Sequence, residues 1–285
     1  MNKLLRFLLR VCFRFQAFNE EVLSTPGPVL LLPNHLSWID WLFVGVCLDP
    51  DWRFVTSSTT AQTSWVHRLI MVNRRTFPVD ALSPYSAKRM AEYLQKGGRL
   101  VLFPEGRLSR TGTLMKLFDG TGFLLHKTSA KVITAYQRGA QRLPLSPNQD
   151  DKKLFPKVTI HFSELLTPPR LEQLSTAQAR THLTNWLRDR MIEQQFRVEM
   201  EVGPRTIPDA IIETARLRPN HTVLEDVTSK LTYRRLLLGA ALLAEQWRTI
   251  LPLETTRVGV LLPNVNAAWP FVVVSPGCTE LNQVC

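Results

Sequence analysis

A histidine and an aspartate stand five residues apart in the stretch N-H-L-S-W-I-D, as His35 and Asp40. A neutral imidazole can take a proton from a hydroxyl, and a carboxylate on its other ring nitrogen fixes the tautomer and stabilises the imidazolium that forms. The pair therefore has the makings of a general base for an alcohol. Its spacing sets a geometric condition. On one continuous helix, residues five apart lie ~140° apart at ~100° per residue and do not share a face. His35 must then sit in a loop, with Asp40 in the first turn of the following helix. Taken singly, His35 could be a polar loop residue and Asp40 the capping-box partner of Ser37, and both roles could hold in part.

A second group is F-P-E-G-R, residues 103–107. Arg107 could bind phosphate oxygens bidentately, and Gly106 before it lets the backbone approach an anion closely. Glu105 could hold the guanidinium in place or accept a hydroxyl hydrogen bond. The alternative is a surface turn with an exposed ion pair. A third group, Asn73, Arg74 and Arg75, offers Arg74 as a further charge against a phosphate. A solvated basic turn would look the same.

The elements that must position these groups alternate. Residues 29–32 form a short apolar run that reads as a buried strand. Ser37 to Asp40 has the S-x-x-D signature of a helix start, which predicts a helix over residues 38–48. A strand follows at 53–56, and 66–72 is apolar but ambiguous. Ser83 with Pro84 opens a helix that should run to Gly97. Residues 100–103 form a second buried strand, 120–129 a helix, 132–136 a third strand and 157–162 a fourth. Residues 175–195 form a long helix with Leu183, Trp186, Leu187 and Met191 on one face. The fold class expected is α/β, a layered fold with a mostly parallel sheet flanked by helices. In such sheets ligands gather beyond the carboxyl ends of strands. His35 and residues 105–107 each follow such an end.

The 285 residues are 45% hydrophobic and 21% charged, which excludes a disordered tail, a collagen or a disulfide scaffold. The net charge of +11 lies wholly before residue 209, with 28 basic and 17 acidic side chains there and seven of each beyond. That asymmetry predicts an anionic partner for the first segment. The basic residues are dispersed without interleaved aromatics, so nucleic acid is not expected as that partner. Four cysteines without metal spacing read as reduced, buried thiols. No segment approaches the ~20 apolar residues needed to cross a bilayer. Residues 1–19 place Lys3, Arg6, Arg10 and Arg14 through an apolar run, which fits a basic amphipathic helix at a membrane interface. The alternative is a first helix packed on its own domain. Residues 201–208 read as a linker, followed by a helix at 208–218, a small hairpin, a helix at 233–250 and a strand at 257–262.

In combination, the three groups resemble the lysophospholipid and glycerol-phosphate acyltransferase family, whose signature is N-H-x-x-x-x-D, an arginine-bearing block, and F-P-E-G-x-R-S or a close variant. Here Arg107 follows Gly106 directly, with Ser109 after it. The stretch from Gly106 to Phe123 is similar to bifunctional enzymes that join a 2-acylglycerophosphoethanolamine acyltransferase to an acyl-acyl-carrier-protein synthetase. Residues 231–237 and 257–264 resemble the opening of adenylate-forming ligases. The resemblance implies an acyltransferase domain over 20–200 and a truncated N-terminal fragment of an AMP-binding domain over 209–285. It implies an O-acyltransferase that moves an acyl group from an acyl-carrier protein or coenzyme A thioester to a lysophospholipid hydroxyl. His35 and Asp40 would be catalytic, and Arg74, Glu105, Gly106 and Arg107 would bind substrate. No cofactor or metal is implied, and the expected site of action is the cytoplasmic face of the inner membrane. A 1-acylglycerol-3-phosphate acyltransferase is the alternative within the family. A non-catalytic lipid- or carrier-binding remnant is the alternative outside it. Two departures stand out. Thr134 follows Val132 and Ile133 where the family usually has proline, and the phosphate loop of adenylate-forming enzymes is missing, so no synthetase activity is expected.

Overall fold

The computed structural model describes residues 3–57, 75–80, 84–149, 151–203, 207–226, 229–250 and 270. Their elements run α1 (Lys3–Phe13), β1 (Gln16–Phe18), β2 (Val29–Pro33), α2 (Asp40–Gly45), β3 (Trp52–Ser57), β4 (Thr76–Val79), α3 (Pro84–Gln95) and β5 (Arg99–Val101). They continue with α4 (Asp119–Thr128), β6 (Lys131–Arg138), β7 (Thr159–Phe162), α5 (Thr176–Val202), α6 (Ile207–Leu217), β8 (Thr222–Glu225), β9 (Lys230–Thr232) and α7 (Tyr233–Ile250). The chain divides into two compact units, Met1–Val198 and Glu199–Cys285.

The first unit is built on a seven-stranded sheet of order β1-β7-β6-β2-β5-β3-β4. Every pairing is parallel except β6 with β7, so β7 and β1 run against the rest. The central strand β2 is buried at every position, as a parallel strand covered on both faces should be. Its period-two alternation divides two cores. Val29 and Leu31 face one with Leu9, Phe15, Phe43 and Ile160. Leu30 and Leu32 face the other with Leu94, Leu124, Leu183, Leu187 and Met191. Each fully buried leucine contributes roughly 1.5–3 kcal/mol of transfer free energy. Leu31 pairs with Val101, so the chain leaves β2 and β5 as adjacent loops at the same sheet edge.

Several boundaries differ from those expected. The helix expected over 38–48 is only Asp40–Gly45. Beyond it Cys47 and Leu48 bond three residues back, to Val44 and Gly45, which tightens the last turn before Pro50. Strand β5 stops at Val101, because Pro104 has no N–H for the ladder. The long helix reaches Val202, into the stretch expected to be a linker. Helix α1 ends at Phe13, where Arg14 takes a left-handed φ of 48°, and β1 then pairs with β7. Nothing in the local pattern of residues 16–18 announced that strand. Cys12 is exposed rather than buried. Cys47 packs against the α1–α2 core, and burial pushes its thiol up. The run at 66–72, the cap at Ser83 and the strand at 257–262 lie outside the described residues. The second unit contains α6, the antiparallel β8–β9 pair and α7, packed around Leu236 and Ala240.

Candidate active site

Strand β2 delivers Asn34 and His35 to the sheet edge, and Asp40 opens α2 immediately after. His35 Nδ1 lies 2.9 Å from Asp40 Oδ2. Asp40 is fully buried, and the same oxygen accepts the main-chain N–H groups of Leu36 and Ser37. The Ser37 hydroxyl donates to Asp40 Oδ1 at 2.7 Å. The S-x-x-D signature is thus half a capping box. Asp40 reaches back to the Ser37 N–H, but Ser37 turns its hydroxyl onto the carboxylate instead of onto the helix. A carboxylate among these donors leaves Nδ1 of His35 to carry the proton, so Nε2 is the basic nitrogen. The ring itself stacks on Phe103, with centroids 4.2 Å apart and planes at 25°.

The F-P-E-G-R loop leaves β5 alongside. Glu105 is fully buried, with Oε1 accepting the His35 N–H and Oε2 the Met115 N–H, each at 2.8 Å. Burial pushes its carboxyl up, and the two main-chain donors pull it partly back. The Ser109 N–H closes the connection by donating to the His35 carbonyl at 2.8 Å. Glu105 therefore ties two loops together, where a contact with the Arg107 guanidinium or a substrate hydroxyl was expected. Gly106 has a φ of 62°, and a Cβ there would meet the Phe118 ring at 2.5 Å. Arg107 is exposed, and its guanidinium has no hydrogen-bond or ion-pair partner among the described residues. Arg74 lies outside the described residues. Its neighbour Arg75 turns inward to the carbonyl oxygens of Leu48 and Asp49.

One contributor was not legible beforehand. Gln137, fully buried on β6, gives its N–H to Asn34 Oδ1 at 2.7 Å and its Nε2 to the Asn34 carbonyl at 3.0 Å. Asn34 Nδ2 returns a bond to the Gln137 carbonyl at 3.1 Å. This lattice fixes the backbone just before His35. Its partners are 103 residues apart, so only the β2–β6 register reveals it. Thr134, on the same strand, is fully buried, and its hydroxyl has no hydrogen-bond partner among the described residues.

Residues 14–138 match the model of the Acyltransferase family. That span holds His35, Asp40 and the whole F-P-E-G-R loop, and the match supports an acyltransferase domain in the first unit. Among solved structures, the chain is similar to the crystal structure of the 1-acyl-sn-glycerophosphate (LPA) acyltransferase PlsC from Thermotoga maritima. The likeness covers 68% of this chain and 82% of that one, at 16% identity and a TM-score of 0.48.

The first helix packs and projects at once. Leu9 is buried in the core, with Leu5 and Phe13 packed beside it. Arg6 pairs with Glu20. Leu4, Phe7, Leu8 and Val11 form a second stripe, at helical spacing, that stays exposed. Among the described residues, no helix is long and apolar enough to cross a membrane.

Proposed function

We propose that this protein transfers an acyl group from a thioester to the free hydroxyl of a lysophospholipid, with 2-acylglycerophosphoethanolamine as the acceptor. The donor is the thioester of an acyl-carrier protein or of coenzyme A. The observation that carries this reading is the His35–Asp40 contact, made at a strand end that Glu105 and Ser109 bond to the Arg107-bearing loop.

His35 Nε2 takes the proton of the acceptor hydroxyl as the oxygen attacks the thioester carbonyl carbon. The tetrahedral intermediate collapses by breaking the carbon–sulfur bond. The imidazolium returns its proton to the leaving thiolate, so the products are an ester and a free thiol. Asp40 holds the ring and stabilises its charge during the proton's stay. The exposed Arg107, aided by Arg74, grips the acceptor phosphate and holds the hydroxyl near His35. The thioester arrives activated, so the reaction needs no nucleotide. The exposed stripe of α1, with Arg10 and Lys3 beside it, seats the protein on the cytoplasmic face of the inner membrane. The resemblance of residues 231–237 and 257–264 supports reading 209–285 as the opening of an adenylate-forming domain.

The test is a head-group screen with purified protein, offering lysophosphatidylethanolamine and 1-acylglycerol-3-phosphate with each donor in turn. Ester formation with the ethanolamine lipid is expected. Failure with every acceptor and both donors would leave a non-catalytic lipid-binding protein.

A further inference from the structure

The loop that carries the histidine and the helix that follows it each present a large aromatic side chain that the chemistry does not use. Trp38 is 50% exposed and Trp41 is 37% exposed, on either side of the buried Asp40. The Trp38 main-chain N–H donates to the Leu145 carbonyl at 3.1 Å, and Leu145 is itself an exposed apolar residue. Lys152 anchors that loop by donating to the Leu143 and Ser146 carbonyls. The chain then reaches the bend at Leu154 and Phe155, both exposed. Phe155 lies 5.6 Å from the Phe13 ring, and Phe13 in turn meets Phe43 of α2 edge-on at 5.4 Å. The Phe155 bend and α1 therefore touch α2, the helix that carries Trp41, on the side of the sheet that holds the Leu31 core.

We propose that this side is a bilayer contact with two footholds, and that Trp38 and Trp41 are the second. They enter the interfacial layer of an anionic lipid surface at the mouth of the His35 site, independently of the outer stripe of α1. Indole rings favour that layer because one end is apolar and the N–H can stay wet. Charge favours the same occupant. Lys3 and Arg10 are exposed without carboxylate partners among the described residues, and Arg14 lies against the Phe155 carbonyl. Such a rim suits anionic head groups. A foothold on the catalytic loop would spare the acceptor a full exit into water, since its hydroxyl could reach His35 from the lipid surface.

The proposal rests on the acyltransferase reading only for the reason why the site should face lipid. Partition into vesicles without acceptor needs no turnover, so the two ideas can fail separately. The full chain is mixed with equimolar phosphatidylglycerol and phosphatidylcholine vesicles and sedimented. Trp38→Ser with Trp41→Ser should lower the partition coefficient about tenfold, as expected for removing this much apolar surface from a lipid contact. Trp38→Phe with Trp41→Phe preserves apolar bulk and should keep binding. It should also lose the part of the tryptophan emission that brominated phosphatidylcholine quenches in the wild type. Unchanged partition of the serine variant, or equal quenching of wild type and phenylalanine variant, overturns the proposal and assigns the surface to a protein partner.

Discussion

Glu105 holds the backbone of His35 and not its ring, accepting the main-chain N–H at 2.8 Å while its other oxygen takes Met115. The loops that carry His35 and Arg107 are thereby fixed to one another through a carboxyl group that solvent does not reach. Burial raises that carboxyl above its ordinary value of 4.5. The sign follows from linkage. The folded state binds this proton more tightly than the unfolded chain, so the stabilisation is complete below the ordinary value. It is lost as pH rises through the folded-state value. Glu105→Gln removes the titration, and its urea midpoint should vary less with pH across the acid range than that of the wild type. Parallel curves would show that the buried carboxyl is not the source.

The same substitution should also cost activity. A glutamine has one carbonyl oxygen, so only one of the His35 and Met115 N–H groups keeps its acceptor. The other is left buried and unpaired at about 1–3 kcal/mol. A shift of about 1 Å between the two loops is enough for a loss on the order of 10²-fold. Single-turnover assays should show the loss in the acyl-transfer step while acceptor affinity changes less.

His35→Ala and Asp40→Asn should separate chemistry from folding. The alanine removes the base and should lower transfer about 10²–10⁴-fold with the protein still folded. The asparagine should do damage of a second kind. Asp40 accepts from the imidazole, two main-chain N–H groups and the Ser37 hydroxyl, and an amide would point its own donors at some of them. A loss of about 1–3 kcal/mol in stability is expected for Asp40→Asn, with little for His35→Ala. Thermal melts of both, beside their turnover, decide the matter. Wild-type turnover in His35→Ala would end the general-base mechanism.

How much of this was written in the residues depends on distance along the chain. The five-residue spacing of His35 and Asp40 excluded a shared helix face, and the structure places one in a loop and the other at a helix start. The all-apolar run of β2 and the Leu183, Leu187 and Met191 face of α5 were legible because burial imposes its own period. The role of Glu105 was not, since a carboxylate beside an arginine reads locally as an ion pair. Only folding showed that its partners are main-chain groups 70 and ten residues away. Gln137 needed the β2–β6 register, and β1 needed β7. Three residues with the burial pattern of Gln16–Phe18 carry no signal of a strand without that partner.

Arg107 is exposed on the loop that Glu105 and Ser109 bond to His35, and its loss should read out as binding. Arg107→Ala should raise the acceptor KM with a smaller effect on kcat at saturation, because among the described residues no internal bond depends on the guanidinium. Arg107→Lys should recover part of the affinity but not all, since an ammonium does not offer a bidentate fork to a phosphate. Equal KM values for all three proteins would remove Arg107 from the acceptor site.

Deleting residues 1–15 would test membrane attachment badly, because it also removes Leu9 and the partly buried Leu5 and Phe13 from the core. The two faces of α1 can instead be addressed separately. Phe7→Ser with Leu8→Ser touches only the exposed stripe and should leave the melting temperature near that of the wild type. It should reduce sedimentation with phosphatidylglycerol-containing vesicles, and high salt should reduce it further by screening the basic rim. Leu9→Ala should do the opposite. A buried leucine truncated to alanine costs about 2–5 kcal/mol, so the protein should melt earlier while the folded fraction still binds vesicles. If Phe7→Ser with Leu8→Ser pelleted as the wild type does, the outer stripe would not be the anchor, and the apolar residues of α1 would serve packing alone.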